Sequence, residues 1–188
     1  VFGAKQHNMR TGIISDMPWS LRLDRCPQKS VFTPREVKDY LFNNFQNWPW
    51  NKLFRRSFVE QHHITYQEIT RTNDMAFVCQ ALAQAGRISV LDEYLAYYRV
   101  ETGSSLQQSN HRDPMAFTQA FVETKRRLEQ VGLYHKFEKS FLNVVLSGTR
   151  TNLYNMKTVE AKERVIRWIQ SEMDQEFHVF SKDRSYFY

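Results

Sequence analysis

A mixed α/β chain, with a partial sheet in its first half and helices in its second, is what the sequence predicts. Three observations carry that expectation: the opening Val1-Phe2-Gly3-Ala4 reads as a strand already under way, Arg87 to Val100 is rich in Ile, Val, Leu and Tyr, and helical periodicity dominates after Asp113. At 188 residues the chain is long enough for about one compact domain with its own core, on a prior of roughly 150 residues per domain. Within it, residues 1–110 read as the part that carries the chemistry and 111–188 as a helical extension packed on it.

Composition narrows the function classes. Fourteen Phe, nine Tyr and four Trp point to a ring-packed interior or a ring-lined groove. The formal charge of +6 favours anionic partners such as nucleotides or phospholipid surfaces, and with no nucleic-acid motif in the chain no nucleic acid is expected among them. No apolar run approaches the ~18 residues of a membrane-spanning helix, and no charged-then-apolar leader opens the chain, so a soluble, cytoplasmic domain is expected. Cys26 and Cys79 read as reduced packing residues.

Taken in order, Thr11-Gly12-Ile13-Ile14-Ser15 suggests a hairpin return with Gly12 at the turn. Thr33-Pro34-Arg35-Glu36 has a Thr cap, Pro at the first helical position and Glu at the third, so a helix is expected there. Val37, Leu41, Phe45 and Trp48 continue it at helical spacing until Pro49. A second helix is expected from Asp74 to Ala85, capped by Asn73 or Thr72 and closed by Gly86 in a left-handed turn. Its run Met75-Ala76-Phe77-Val78-Cys79 is apolar nearly all round, which predicts packing on a sheet.

Arg87 to Val100 is expected as strand with a break at Asp92-Glu93, and period-two alternation places Tyr97 and Arg99 on one face and Ala96, Tyr98 and Val100 on the other. Asp113-Pro114 repeats the capped start, leading through Phe117, Phe121 and Leu128 to a stop at Gly132. Phe137, Phe141, Val144 and Val145 mark a further helix. Ala161, Val165, Trp168 and Ile169 mark the last, with Glu160–Arg164 and Glu163–Arg167 spaced as i,i+4 pairs on its solvated face. The aromatic tail Ser185-Tyr186-Phe187-Tyr188 is expected to want a partner outside the chain.

Several chemistries are excluded by what the sequence lacks. Two distant Cys and the adjacent His62 and His63 do not make a zinc set. There is also no Asp-x-Asp, no Gly-rich phosphate loop and no G-x-S-x-G elbow. Asp74 is the leading catalytic candidate, because a carboxylate at a helix start is held by backbone donors and can accept a proton from a bound hydroxyl; a capping role is the commoner use. Lys52, Arg55 and Arg56 follow the aromatic turn Trp48-Pro49-Trp50 and could grip a diphosphate, although exposed basic residues beside a strand usually do nothing of the kind. Arg99, at the end of a largely apolar strand, needs water or a partner. Gly103-Ser104-Ser105 offers a turn with hydroxyl and amide donors.

In order, Trp50-Asn51-Lys52-Leu53-Phe54-Arg55-Arg56, Asn73-Asp74, Tyr97-Tyr98-Arg99 and Gly103-Ser104-Ser105 resemble the acceptor-side half of a family 2 glycosyltransferase of GT-A fold. The resemblance implies a partial GT-A sheet and an inverting transfer from a nucleoside-diphosphate sugar to a glycan or lipid-linked acceptor, in cell-surface polysaccharide synthesis. It implies Asp74 as base and Arg99 beside the leaving diphosphate. Trp50, Asn51, Lys52, Arg56, Asn73, Tyr97, Ser104 and Ser105 become substrate-side residues. Asn73 stands where the family carries Glu, so the first acid of the pair is replaced. A divalent metal, Mg or Mn, would be held by an Asp-x-Asp upstream of Val1, and the isolated chain is expected to be inactive. Peripheral contact with the inner face of a plasma membrane would suit a lipid-linked acceptor. The rival reading is a non-catalytic module whose basic and aromatic residues hold an anionic polymer or a partner protein.

Overall fold

The computed structural model describes residues 1–102 and 113–187. Strand β1 (Phe2–Asn8) pairs antiparallel with β2 (Ile14–Met17) across a turn in which Gly12 has φ +73°, the left-handed value that glycine adopts freely. A two-residue strand β3 (Val31–Phe32) follows, and then the first departure from expectation. The segment from Thr33 to Trp48 is a 3-10 turn at Pro34–Val37 and a short helix α1 (Leu41–Asn44), not one continuous helix. Glu36 still accepts from the N–H and hydroxyl of Thr33, as the capping pattern requires.

The interruption has tertiary causes. The N–H of Phe42 donates to Ser140 Oγ at 2.8 Å, which a helix continuing through Lys38 would not allow. Beyond α1, Gln46 takes φ +50° and the chain curls so that the carbonyls of Phe45, Gln46 and Trp48 face one ammonium.

Helix α2 (Arg56–Gln61) leads to α3 (Asp74–Gln84), which begins where expected. Met75 to Ala83 are all buried, but α3 lies between α1 and the next helix rather than on a sheet. Neither anticipated cap forms: Asn73 has helical angles with no side-chain bond, and Thr72 sits at φ +62°. Gly86 is not left-handed either, because Ala85 already leaves the helix in an extended conformation. Strands β4 (Ile88–Ser89) and β5 (Leu91–Val100) replace the single strand expected. β4 pairs antiparallel with β3, whereas β5 runs parallel to β1, giving a sheet of order β2-β1-β5. The expected break at Asp92-Glu93 survives as a register shift, since Phe2 faces Leu91 and Gly3 faces Tyr94.

Four helices complete the fold: α4 (Ala116–Gln130), α5 (Tyr134–Asn155), α6 (Val159–Ser171) and α7 (Met173–Phe177). Gly132 ends α4 at φ +68° as expected. At the start of α4, Asp113 does not cap; its carboxylate accepts the hydroxyl of Thr70. One hydrophobic core runs from Leu21 to Phe187 across both halves of the chain. Its centre is Phe42, Phe117, Phe121, Phe137, Phe141 and Phe177, packed mostly edge to face. The tail belongs to this core too, with Phe187 buried and the Tyr186 hydroxyl donating to Glu138 at 3.1 Å. On α6 the expected Glu160–Arg164 and Glu163–Arg167 pairs stay on the solvated face without closing to ion-pair distance.

Close approach of α4 and α5 depends on Gly148. A Cβ there would lie 2.8 Å from Phe121 Cζ, inside van der Waals contact with a buried ring. Gly148→Ala should therefore cost about 1–3 kcal/mol of overpacking against a helix-propensity gain of about 1 kcal/mol. A lowered urea midpoint is the expected result.

Candidate functional site

Asn51 and Lys52 form the frame of the site. Lys52 is 5% exposed, and the three hydrogens of its ammonium are shared among the carbonyls of Phe45 (2.6 Å), Gln46 (3.0 Å) and Trp48 (2.7 Å) and Asn51 Oδ1 (2.7 Å). Asn51 donates through Nδ2 to the Ser20 carbonyl at 3.1 Å, and its own carbonyl accepts from the Phe2 N–H. Ser20 Oγ accepts from the Ala4 N–H at 2.9 Å, so the network ties β1 to the loop around Lys52. Both side chains were expected to face the acceptor; instead each is committed inside the fold. Burial pushes the Lys52 ammonium down to about 7, with the charges of Cys79 and Asp74 opposing the shift. Its four acceptors also favour the charged form.

What this frame supports is a group of rings. Trp50 lies parallel to Trp48, 5.0 Å between centroids and 13° between planes. Tyr98, from the inward face of β5, lies parallel to both, at 5.4 Å from Trp50 and 6.0 Å from Trp48. All three are half-buried and stacked on one another, so the faces they share are covered, and an outer ring face with polar edges is what they can offer a sugar ring. Local sequence marks Trp48 and Tyr98 only as turn and strand; their stacking depends on a register between β1 and β5 that no local pattern reveals.

Asp74 stands at the first turn of α3, half-buried. Burial raises its carboxyl above the ordinary 3.8, while its own N–H, that of Met75 and the Lys52 charge pull the other way. Among the described residues no cation reaches it at ion-pair distance. The turn that delivers it is strained, because Thr72, a β-branched residue, holds left-handed angles. Tyr66 lies flat against Phe77 of α3 at 4.4 Å, and burial together with the Asp74 charge raises its phenol. Tyr66 stands alone in a loop, with no sequence signal to mark it.

The remaining candidates are placed differently. Asn73 is exposed, and its carbonyl accepts from the Gln67 N–H at 3.3 Å. Arg56 points to solvent and pairs with Glu60 at 2.7 Å along α2, away from the rings. The alternation in β5 is as expected, so Tyr97, 61% exposed, and Arg99 lie on the outer face of the sheet, opposite Tyr98. Ser104 and Ser105 lie outside the described residues. The structure thus stacks Trp50 with Trp48 and Tyr98 next to the Lys52 network, sets Asp74 near enough to Lys52 for their charges to act on each other, and leaves Arg56, Tyr97 and Arg99 exposed to solvent.

Among the described residues no three His, Cys, Asp or Glu side chains group to hold a metal, so this part of the chain does not itself fit the divalent ion of the family pattern. Cys26 and Cys79 are buried and unpaired, with the Cys26 thiol pushed up to about 11 and Cys79 higher still. Among the described residues no helix is long and apolar enough to cross a membrane. No protein-family model, no curated protein and no solved structure matches the chain.

Proposed function

We propose that this chain forms the acceptor-side part of an inverting glycosyltransferase that uses a nucleoside-diphosphate sugar. Asp74 takes the proton of an acceptor hydroxyl as that oxygen bonds to the anomeric carbon, and the bond from that carbon to the diphosphate breaks with inversion. The acceptor is a glycan or a lipid-linked sugar whose ring rests on Trp48, Trp50 and Tyr98.

One observation carries the reading. The half-buried Asp74 carboxyl at the start of α3 lies near enough to Lys52 for their charges to act on each other, meets no cation at ion-pair distance among the described residues, and is held above its ordinary range by burial. A raised carboxyl is a stronger base once ionised. The test is to supply the intact protein with a panel of nucleoside-diphosphate sugars and glycan acceptors and to follow nucleoside diphosphate release. Acceptor-dependent release is expected, and Asp74→Asn, which removes the base, should slow it. If no donor turns over and the protein instead retains an anionic polymer or a protein, the non-catalytic module is the better description.

A further inference from the structure

An open apolar surface lies far from Asp74 in sequence, between α5 and α6. Leu146 and Leu153 of α5 face Ile166 and Ile169 of α6 across a groove of about 580 Å³, and Phe180 closes one end. Lys162, Ile166 and Ile169 recur at i, i+4 and i+7, so one stripe of α6 faces the groove while Ala161, Val165 and Trp168 face the core. Ile169 also packs against the edge of the core, and Val159 and Ile166, 66% and 42% exposed, are the apolar side chains that α6 leaves to solvent. Around the groove the apolar side chains protrude: Tyr154 is 85% exposed, Val159 66% and Phe180 62%.

The side chains lining the groove carry charge of one sign, while at the Phe180 end the Asp174 carboxylate accepts from the Phe180 N–H at 2.6 Å. Arg150 and Lys162 line the groove and no acidic residue does. Among the described ion pairs neither of these cations takes part, nor does Lys157 in the connection between the two helices. Glu160 and Glu163 follow the helical turn away from the groove stripe, onto the exposed flank. Aromatic and aliphatic side chains standing proud of a surface and interspersed with unpaired Lys and Arg match the interfacial zone of a bilayer, where rings sit at headgroup level and cations meet phosphates. Among anionic partners a lipid surface fits best, because the apolar side chains protrude beyond the groove as well as lining it.

We infer that the α5–α6 face docks on an anionic phospholipid bilayer, with Tyr154, Val159 and Phe180 entering the headgroup boundary and Arg150, Lys157 and Lys162 on lipid phosphates. This goes beyond the transfer reading and does not depend on it. The test is co-sedimentation of the whole chain with vesicles of equimolar phosphatidylglycerol and phosphatidylcholine, against vesicles of phosphatidylcholine alone. Binding to the anionic vesicles is expected, weakened by salt and absent from neutral ones. Ile166→Glu should lower partitioning at least about tenfold by placing a carboxylate at the apolar boundary.

Tyr154→Ser should lower it as well, and because that side chain is almost wholly exposed the fold cannot account for the loss. Circular dichroism verifies that both variants remain folded. Wild-type protein left in the supernatant with anionic vesicles, equal binding to neutral ones, or unchanged binding by Tyr154→Ser overturns the inference. So does a dimer that Ile166→Glu dissociates without any vesicle binding, which assigns the face to a second copy of the chain.

Discussion

Lys52→Met should lower the stability of the domain by about 3 kcal/mol, although Met keeps the length and the apolar stem of the side chain. The wild-type ammonium is the hydrogen-bond donor for three main-chain carbonyls and for Asn51 Oδ1, all within 3.0 Å. Stranding a buried acceptor costs about 1–3 kcal/mol. Relief from holding a charge in the interior offsets part of that sum but not all of it. For a chain of this size each kcal/mol moves the midpoint by roughly 2–4 °C, so a fall of about 6–12 °C in Tm is expected by circular dichroism. The Trp48–Trp50–Tyr98 rings should loosen with it, seen as a change in near-ultraviolet ellipticity. An unchanged Tm would mean that the carbonyl cluster is solvated and that Lys52 does not organise the loop.

With Asp74 as the proposed base, Asp74→Asn should act on chemistry and leave folding nearly untouched. Burial already disfavours the charged carboxylate, so a neutral isostere fits the site, and the loss of a negative charge at the N-terminus of α3 costs at most about 1 kcal/mol. The amide cannot accept the hydroxyl proton, and transfer should fall by about 10²–10⁴-fold, the range for a general base. In the wild type the rate should rise as Asp74 loses its proton, with the midpoint above the ordinary 3.8 because burial holds the proton on. The linked effect on stability has a definite sign: a carboxyl raised in the folded state contributes stability at low pH, and that contribution fades as pH climbs through the raised value.

Much of this fold is written locally. Gly12 and Gly132 mark turns whose positive φ only glycine takes easily, the apolar run after Asp74 marks α3, and the alternation from Leu95 to Val100 assigns the faces of β5. What stayed hidden depends on long-range partners. The segment after Thr33 carries helical spacing and a helical cap, yet it breaks because its carbonyls are drawn to Lys52 and the Phe42 N–H to Ser140, nearly a hundred residues away. A lysine between Asn51 and Leu53 reads as an exposed cation, since no pattern in the sequence announces four buried acceptors. Asp74 was legible as a helix start, while Tyr66 and Tyr98 come near the site only through the packing of Phe77 and the pairing of β5 with β1.

The proposed role of Asp74 as base of a sugar transfer is read most plainly by setting the wild type beside a variant that cannot take the proton. The intact protein and its Asp74→Asn variant, matched in Tm, are given the same nucleoside-diphosphate sugar and acceptor, and release of nucleoside diphosphate is timed. The account predicts steady, acceptor-dependent release by the wild type and loss of about 10²-fold or more in the variant. Release by Asp74→Asn at the wild-type rate would contradict it.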